Sequence, residues 1–151
     1  MKDASLAVRV FRFAEESPRR AALIWAIFLF ALTSWPSPPQ VPIVSTTPHF
    51  DKLIHFTLYG VQAFLIYRAV RWPGKPGASL ARVLAVVGLM AVWGIVDETH
   101  QYWIPGRSME AGDVAADVVG AAAGALAASI TSRRLRRASS AKLQRPVTEV
   151  G

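Results

Sequence analysis

Ten side chains stand out for their chemistry: Asp51, Lys52, His55, Tyr59, Asp97, Glu98, Gln101, Arg107, Asp113 and Asp117. Asp51 and His55 are four residues apart, and Tyr59 follows four later, so on a helix all three share one face. Asp97 and Gln101 are four apart and Glu98 and Gln101 three apart, which again makes one face. Asp113 and Asp117 repeat the spacing of four. Grouped carboxylates with a histidine can hold a divalent cation, move protons or orient a cationic partner. Lys52, His55 and Arg107 are the cations available beside them, and arginine is the best of these for an anion because of its fork of donors. Each residue also has a structural explanation. Asp113 suits the positive end of a helix dipole, Tyr59 suits interior packing with a bonded hydroxyl, and Asp97 with Arg107 suits a loop-holding ion pair.

These residues sit in an unusually apolar chain. Hydrophobic residues make up 52% of the 151, and the mean hydropathy is +0.31. Four apolar segments run from about 21 to 35, 51 to 72, 80 to 103 and 112 to 132. About 20 residues of helix cross a hydrocarbon core of about 30 Å, so the last three are long enough and the first lies at the short limit. Alternating ten-residue strands are absent, and backbone groups in lipid must be satisfied internally, which predicts helices. The expected fold is therefore all-α: a polytopic membrane protein with a bundle of four transmembrane helices. The basic flank before the first segment resembles a secretory signal, but no small-x-small cleavage site follows, and a retained helix is favoured.

Charge orients the segments. Fifteen of the 17 Lys and Arg fall before segment one, between segments two and three, or after segment four; only Lys52 and Arg107 lie on the other side. The positive-inside rule then places both termini in the cytoplasm and the chain in the inner membrane. Net charge is +7, yet the basic residues form blocks between apolar runs, which suits topology signals and argues against nucleic acid. With no cysteine, disulfides, thiol nucleophiles and Cys-ligated zinc are excluded. Residues 1–18 form an N-terminal segment in which Leu6, Val10 and Phe13 recur at helical spacing, fit either for the inner leaflet or for packing on the bundle. Residues 19–132 form the membrane domain, and 133–151 read as a disordered basic tail. Gly120 and Gly124 make a GxxxG face on the side of Asp117; its partner helix lies in this chain or in a second copy, so a homo-oligomer stays open.

Together, Asp51-Lys52-x-x-His55-x-x-x-Tyr59, Asp97-Glu98-x-x-Gln101, Gly106-Arg107-Ser108 and Asp113-x-x-x-Asp117-x-x-Gly120 resemble the VanZ-like membrane proteins over roughly residues 20–132. The resemblance implies an integral membrane protein of the cell envelope. Through the founding member it also implies a link to low-level resistance to the glycopeptide teicoplanin. Family helices commonly carry Asn where this chain has Asp117.

Three functions fit a polar cluster at headgroup depth. The favoured one is binding or moving an envelope lipid or lipid-linked precursor, with membrane lipids as partners. No cofactor is evident, but the acidic cluster suits a divalent cation that bridges to phosphate. The alternatives are an intramembrane metal-assisted hydrolase or transferase and a small proton- or cation-coupled transporter.

Overall fold

A computed structural model of the chain describes residues 6–37, 49–70 and 78–143. Among these residues the structure is helical with no strand. α1 spans Leu6–Glu16, α2 Pro18–Thr33, α3 Phe50–Ala69, α4 Ala78–Gln101 and α5 Ala111–Leu143. Pro18 opens α2, a position where its missing N–H would be unsatisfied in any case.

α4 and α5 contain stretches, Ser79–Gln101 and Ala111–Leu135, that are long and apolar enough to cross a membrane. Only 22% and 33% of their apolar windows are buried inside the protein, whereas the core helix of a water-soluble domain is mostly buried. Leu80, Leu84, Val92, Ile95 and Val96 of α4 face outward, as do Val119, Leu126 and Ile130 of α5. An apolar exterior of this extent suits lipid. The expectation of four spans is met by this measure in two segments. α2 has 16 residues, about 24 Å of helix, and α3 carries Asp51, Lys52, His55 and Arg68 within its 20. α2 nonetheless presents Leu23, Ile24, Ile27 and Phe28 on its outer side.

α3 and α5 form the centre, because small residues let their backbones touch. A Cβ at Gly120 would overlap the Phe56 carbonyl and lie 2.8 Å from the Phe56 Cα; one at Gly124 would overlap the Gly60 carbonyl and lie 3.0 Å from the Gly60 Cα. The GxxxG face therefore has its partner within the chain. Ala121, Ala125 and Ala128 extend the contact and are wholly buried with Ala63, and Tyr59, Tyr67, Val83, Val86 and Met90 fill the rest of that core. α2 joins through Ala21, Ala22 and Leu65. The Trp25 Nε1 donates to the Leu58 carbonyl at 3.0 Å, and Gln62 Nε2 to that of Ala22 at 3.3 Å.

The basic end is tied differently. Arg82 donates to the carbonyls of Tyr67 and Val70 at the end of α3 and lies 4.0 Å over the Tyr67 ring. Arg68 pairs with Glu15 at 2.6 Å. That pair, with Ala14 packed beside Ala21, holds the end of α1 on the bundle, while Val8 and Phe13 remain exposed. One expectation fails at the other terminus. α5 does not stop at Arg133 but continues to Leu143, since Arg, Leu, Ala and Lys are strong helix formers and no Gly or Pro interrupts them. The remainder of the expected tail, 144–151, lies outside the described residues.

Candidate functional site

Helices α2 to α5 alternate in direction, so the end of α2, the start of α3, the end of α4 and the start of α5 meet at one end of the bundle. Helical spacing does the rest. It turns His55 and Tyr59, then Asp97, Glu98 and Gln101, then Asp113 and Asp117, toward a common interior. Asp97, Glu98, Gln101, Asp113 and Asp117 are all under 8% exposed. Burying so many carboxylates is unfavourable unless each finds donors. Their partners therefore define the site.

Asp97 is held by neutral donors from three helices. Thr33 Oγ1 of α2 donates to it at 2.7 Å, the Tyr59 hydroxyl of α3 at 2.9 Å, and Gln101 Nε2 of its own helix at 3.4 Å. The expected Asp97–Arg107 ion pair does not form. Arg107 donates through Nε at 3.0 Å, and through Nη2, to the Gln101 carbonyl oxygen. The glutamine then relays donors inward, its Nε2 reaching Glu98 Oε1 at 3.1 Å. The other oxygen of Glu98 accepts the Glu110 backbone N–H at 2.8 Å, which pins the α4–α5 connection over the site. Gly106, at φ +77°, makes the turn in that connection, close against Ser37.

The α3–α5 side is a chain of charge. His55 Nδ1 lies 3.0 Å from Asp117 Oδ1, and its Nε2 lies 3.9 Å from Asp113 Oδ2. Lys52 Nζ is surrounded by Asp51 at 2.8 Å, Glu110 at 2.5 Å and Asp113 at 2.6 Å. Asp51 and Glu110 are about half exposed, so the cluster runs from a solvent-side rim to a buried floor. On that floor Asp117 Oδ2 has no hydrogen-bond partner among the described residues. It packs against Gly94, where a Cβ would approach it to 3.1 Å.

All ten residues singled out by type and spacing thus belong to one connected network. Lys52, expected to meet phosphate, already has its three donors directed at three carboxylates, and Arg107 is engaged with Gln101. The six acids Asp51, Asp97, Glu98, Glu110, Asp113 and Asp117 therefore outnumber the two permanent cations, and both cations are committed. Two groups have metal-ligand spacing: His55, Glu98 and Asp113, and separately Asp51, Glu110 and Asp113, with the potential ligand atoms of each group within 4.8 Å of one another. Three participants lay outside the sequence reading of the site. Thr33 was hidden because segment one holds no ionisable group, although a lone Thr at the end of an apolar run is a signal. Glu110 falls outside the three groups of helical spacing, and nothing in the sequence marks Gly94.

No curated protein and no solved structure matches the chain. The VanZ/LLP1 family profile matches residues 7–132, a stretch that contains α2, α3, α4 and every residue of the cluster. By that match the chain belongs to the VanZ/LLP1 family.

Proposed function

We propose that this VanZ-family chain is a four-pass protein of the inner membrane, both termini cytoplasmic, that binds or moves an envelope lipid or lipid-linked precursor through its outward-facing polar cluster. One observation carries the reading. A polar cluster with a half-exposed acidic rim and a buried acidic floor occupies one end of a bundle whose flanks are apolar. Basic residues concentrated at the opposite end support its outward orientation.

Because Lys52 and Arg107 are committed, a bare phosphate has little to meet. An amine- or sugar-bearing headgroup, or a phosphate bridged by a cation, complements surplus carboxylate better. By resemblance to the founding member of the family, such a ligand would connect the protein to glycopeptide susceptibility. A coupled transporter is supported less, since beneath Tyr59 the described core is mainly Ala63, Met90, Ala121 and Ala125, with Gln62, Tyr67 and Ser129 its few polar side chains and no acid among them.

Two measurements test the reading. The chain has no cysteine, so single-cysteine variants at Met109 and Ala138 report topology cleanly. Met109→Cys should react with an impermeant maleimide in intact cells and Ala138→Cys only after lysis. Native mass spectrometry of the protein extracted from envelope membranes should then show a co-purifying lipid that is lost in Asp113→Asn and His55→Ala. Identical lipid retention in both variants, with unchanged glycopeptide susceptibility, would remove the proposal.

A further inference from the structure

We infer that His55 Nε2, Glu98 and Asp113 form a binding centre for one divalent metal ion of the zinc or manganese class, with Asp117 as the residue that orients the histidine. This deepens the headgroup reading and rests on it for its biological meaning, although the ion is testable without any lipid.

The two groups with metal-ligand spacing can be compared directly. In one, Asp51, Glu110 and Asp113 surround the Lys52 ammonium at 2.5 to 2.8 Å. That group has its cation, and it needs no other. The second group shares Asp113 but has no permanent cation at its centre. His55 Nε2 and Asp113 Oδ2 stand 3.9 Å apart, too far for a hydrogen bond. Two ligands about 2.0–2.2 Å from one tetrahedral ion stand about 3.3–3.6 Å apart, so this pair would close by a few tenths of an ångström on binding. Glu98, wholly buried, completes the group.

Asp117 supplies the second line of evidence. One of its oxygens lies 3.0 Å from His55 Nδ1, which fixes the ring with the Nδ1 proton toward the carboxylate and the Nε2 lone pair toward Asp113 and Glu98. A metal-ligating histidine almost always gives its other ring nitrogen to such a partner. The same Asp117 is wholly buried and its second oxygen has no donor among the described residues, so there the carboxylate is retained at this depth at a net loss of hydrogen bonding. Orienting a ligand accounts for that loss. Imidazole with two carboxylates favours zinc or manganese over calcium or magnesium, whose sites are built of oxygen. Three protein ligands also leave coordination positions for water or a headgroup oxygen, and the rim carboxylates of Asp51 and Glu110 provide the approach.

The full chain, purified in detergent with any tag removed, should be titrated with Zn²⁺ by calorimetry without added lipid, and the loaded protein measured by X-ray absorption. The expected result is one ion per chain, with imidazole scattering and light-atom ligands at about 2.0–2.2 Å. His55→Ala and Asp113→Asn should weaken binding at least 100-fold and Asp117→Asn about 10–100-fold. His49→Ala and His100→Ala should change it little. The apo form of each variant is checked for helicity, and should His55→Ala fail to fold, the spectrum of the unsubstituted protein decides. Absence of stoichiometric binding, binding unaffected by Asp113→Asn, or a spectrum without imidazole would overturn the assignment. Lipid retained in the presence of a chelator, without any ion binding, would overturn the metal and leave the headgroup reading intact. Ion binding by protein that retains no lipid would support the metal and count only against the headgroup.

Discussion

His55 and Asp117 meet at 3.0 Å because Gly120, about one turn after Asp117, rests on the backbone of Phe56, the neighbour of His55. The His–Asp contact joins residues 62 positions apart in sequence, yet its length is set by two main chains in contact rather than by long side chains reaching across a gap. The glycines of α5 therefore belong to the site as much as the groups that touch a ligand.

Gly124→Ala should be more damaging than its single methyl suggests. The new Cβ would overlap the Gly60 carbonyl, and overpacking of this kind costs about 1–3 kcal/mol. Gly88→Ala is the control, since nothing lies within 4 Å of a Cβ there; it should be neutral or gain up to about 1 kcal/mol from helix propensity. Thermal loss of helicity in detergent separates the two, and equal melting temperatures would contradict the close α3–α5 approach.

Tyr59→Phe and Thr33→Val each remove one donor from buried Asp97. Each should destabilise the protein by about 1–3 kcal/mol, the range for hydrogen bonds to charged groups. Because both act on one carboxylate, the double variant should not equal the sum of the singles. A complete thermodynamic cycle measures the coupling, and strict additivity would show that Thr33 and Tyr59 do not share Asp97.

Lys52→Met leaves Asp51, Glu110 and Asp113 facing one another. Asp51 and Glu110 are half exposed, where single pairs contribute under about 1 kcal/mol, while Asp113 is buried. A total loss of about 1–3 kcal/mol is expected, recovered in part by Asp113→Asn in the same chain. Chemical denaturation of the four members of this set reads the outcome directly, and no recovery in the double variant would mean that Asp113 is not the partner that matters.

Gly106→Ala should loosen the α4–α5 connection. It places an L side chain at φ +77° and a Cβ 2.6 Å from Ser37 Oγ, for a cost of about 1–2 kcal/mol. The backbone of Glu110 would lose its fixed seat on Glu98, so amide exchange at Glu110 should rise while that of α3 is unchanged.

Much of this arrangement was legible in the residues. The apolar segments locate α2 to α5 to within a few residues at most ends, because long apolar runs bounded by Pro and charge leave little freedom. Spacings of three and four gathered the acids correctly because a helix imposes them. Pairing was less accessible. Arg107 binds Gln101 rather than Asp97, a choice between neighbours on one short connection that spacing cannot make. The role of Thr33 depends on how deeply α2 seats against α4, which is a matter of tertiary packing. The far end of α5 is less legible, because its run of arginines reads as charge while arginine is also a strong helix former.

α5 contains 33 residues, about 50 Å of continuous helix, whereas a bilayer's hydrocarbon core is about 30 Å thick. In the proposed topology its first two turns carry Asp113 and Asp117 among the outer acids, and its last turns stand about 10 Å or more clear of the hydrocarbon on the other side. The helix is then a mechanical strut between two aqueous compartments. A push, pull or twist applied to Arg134 or Arg137 by anything in the cytoplasm reaches Asp117 without passing through a loop.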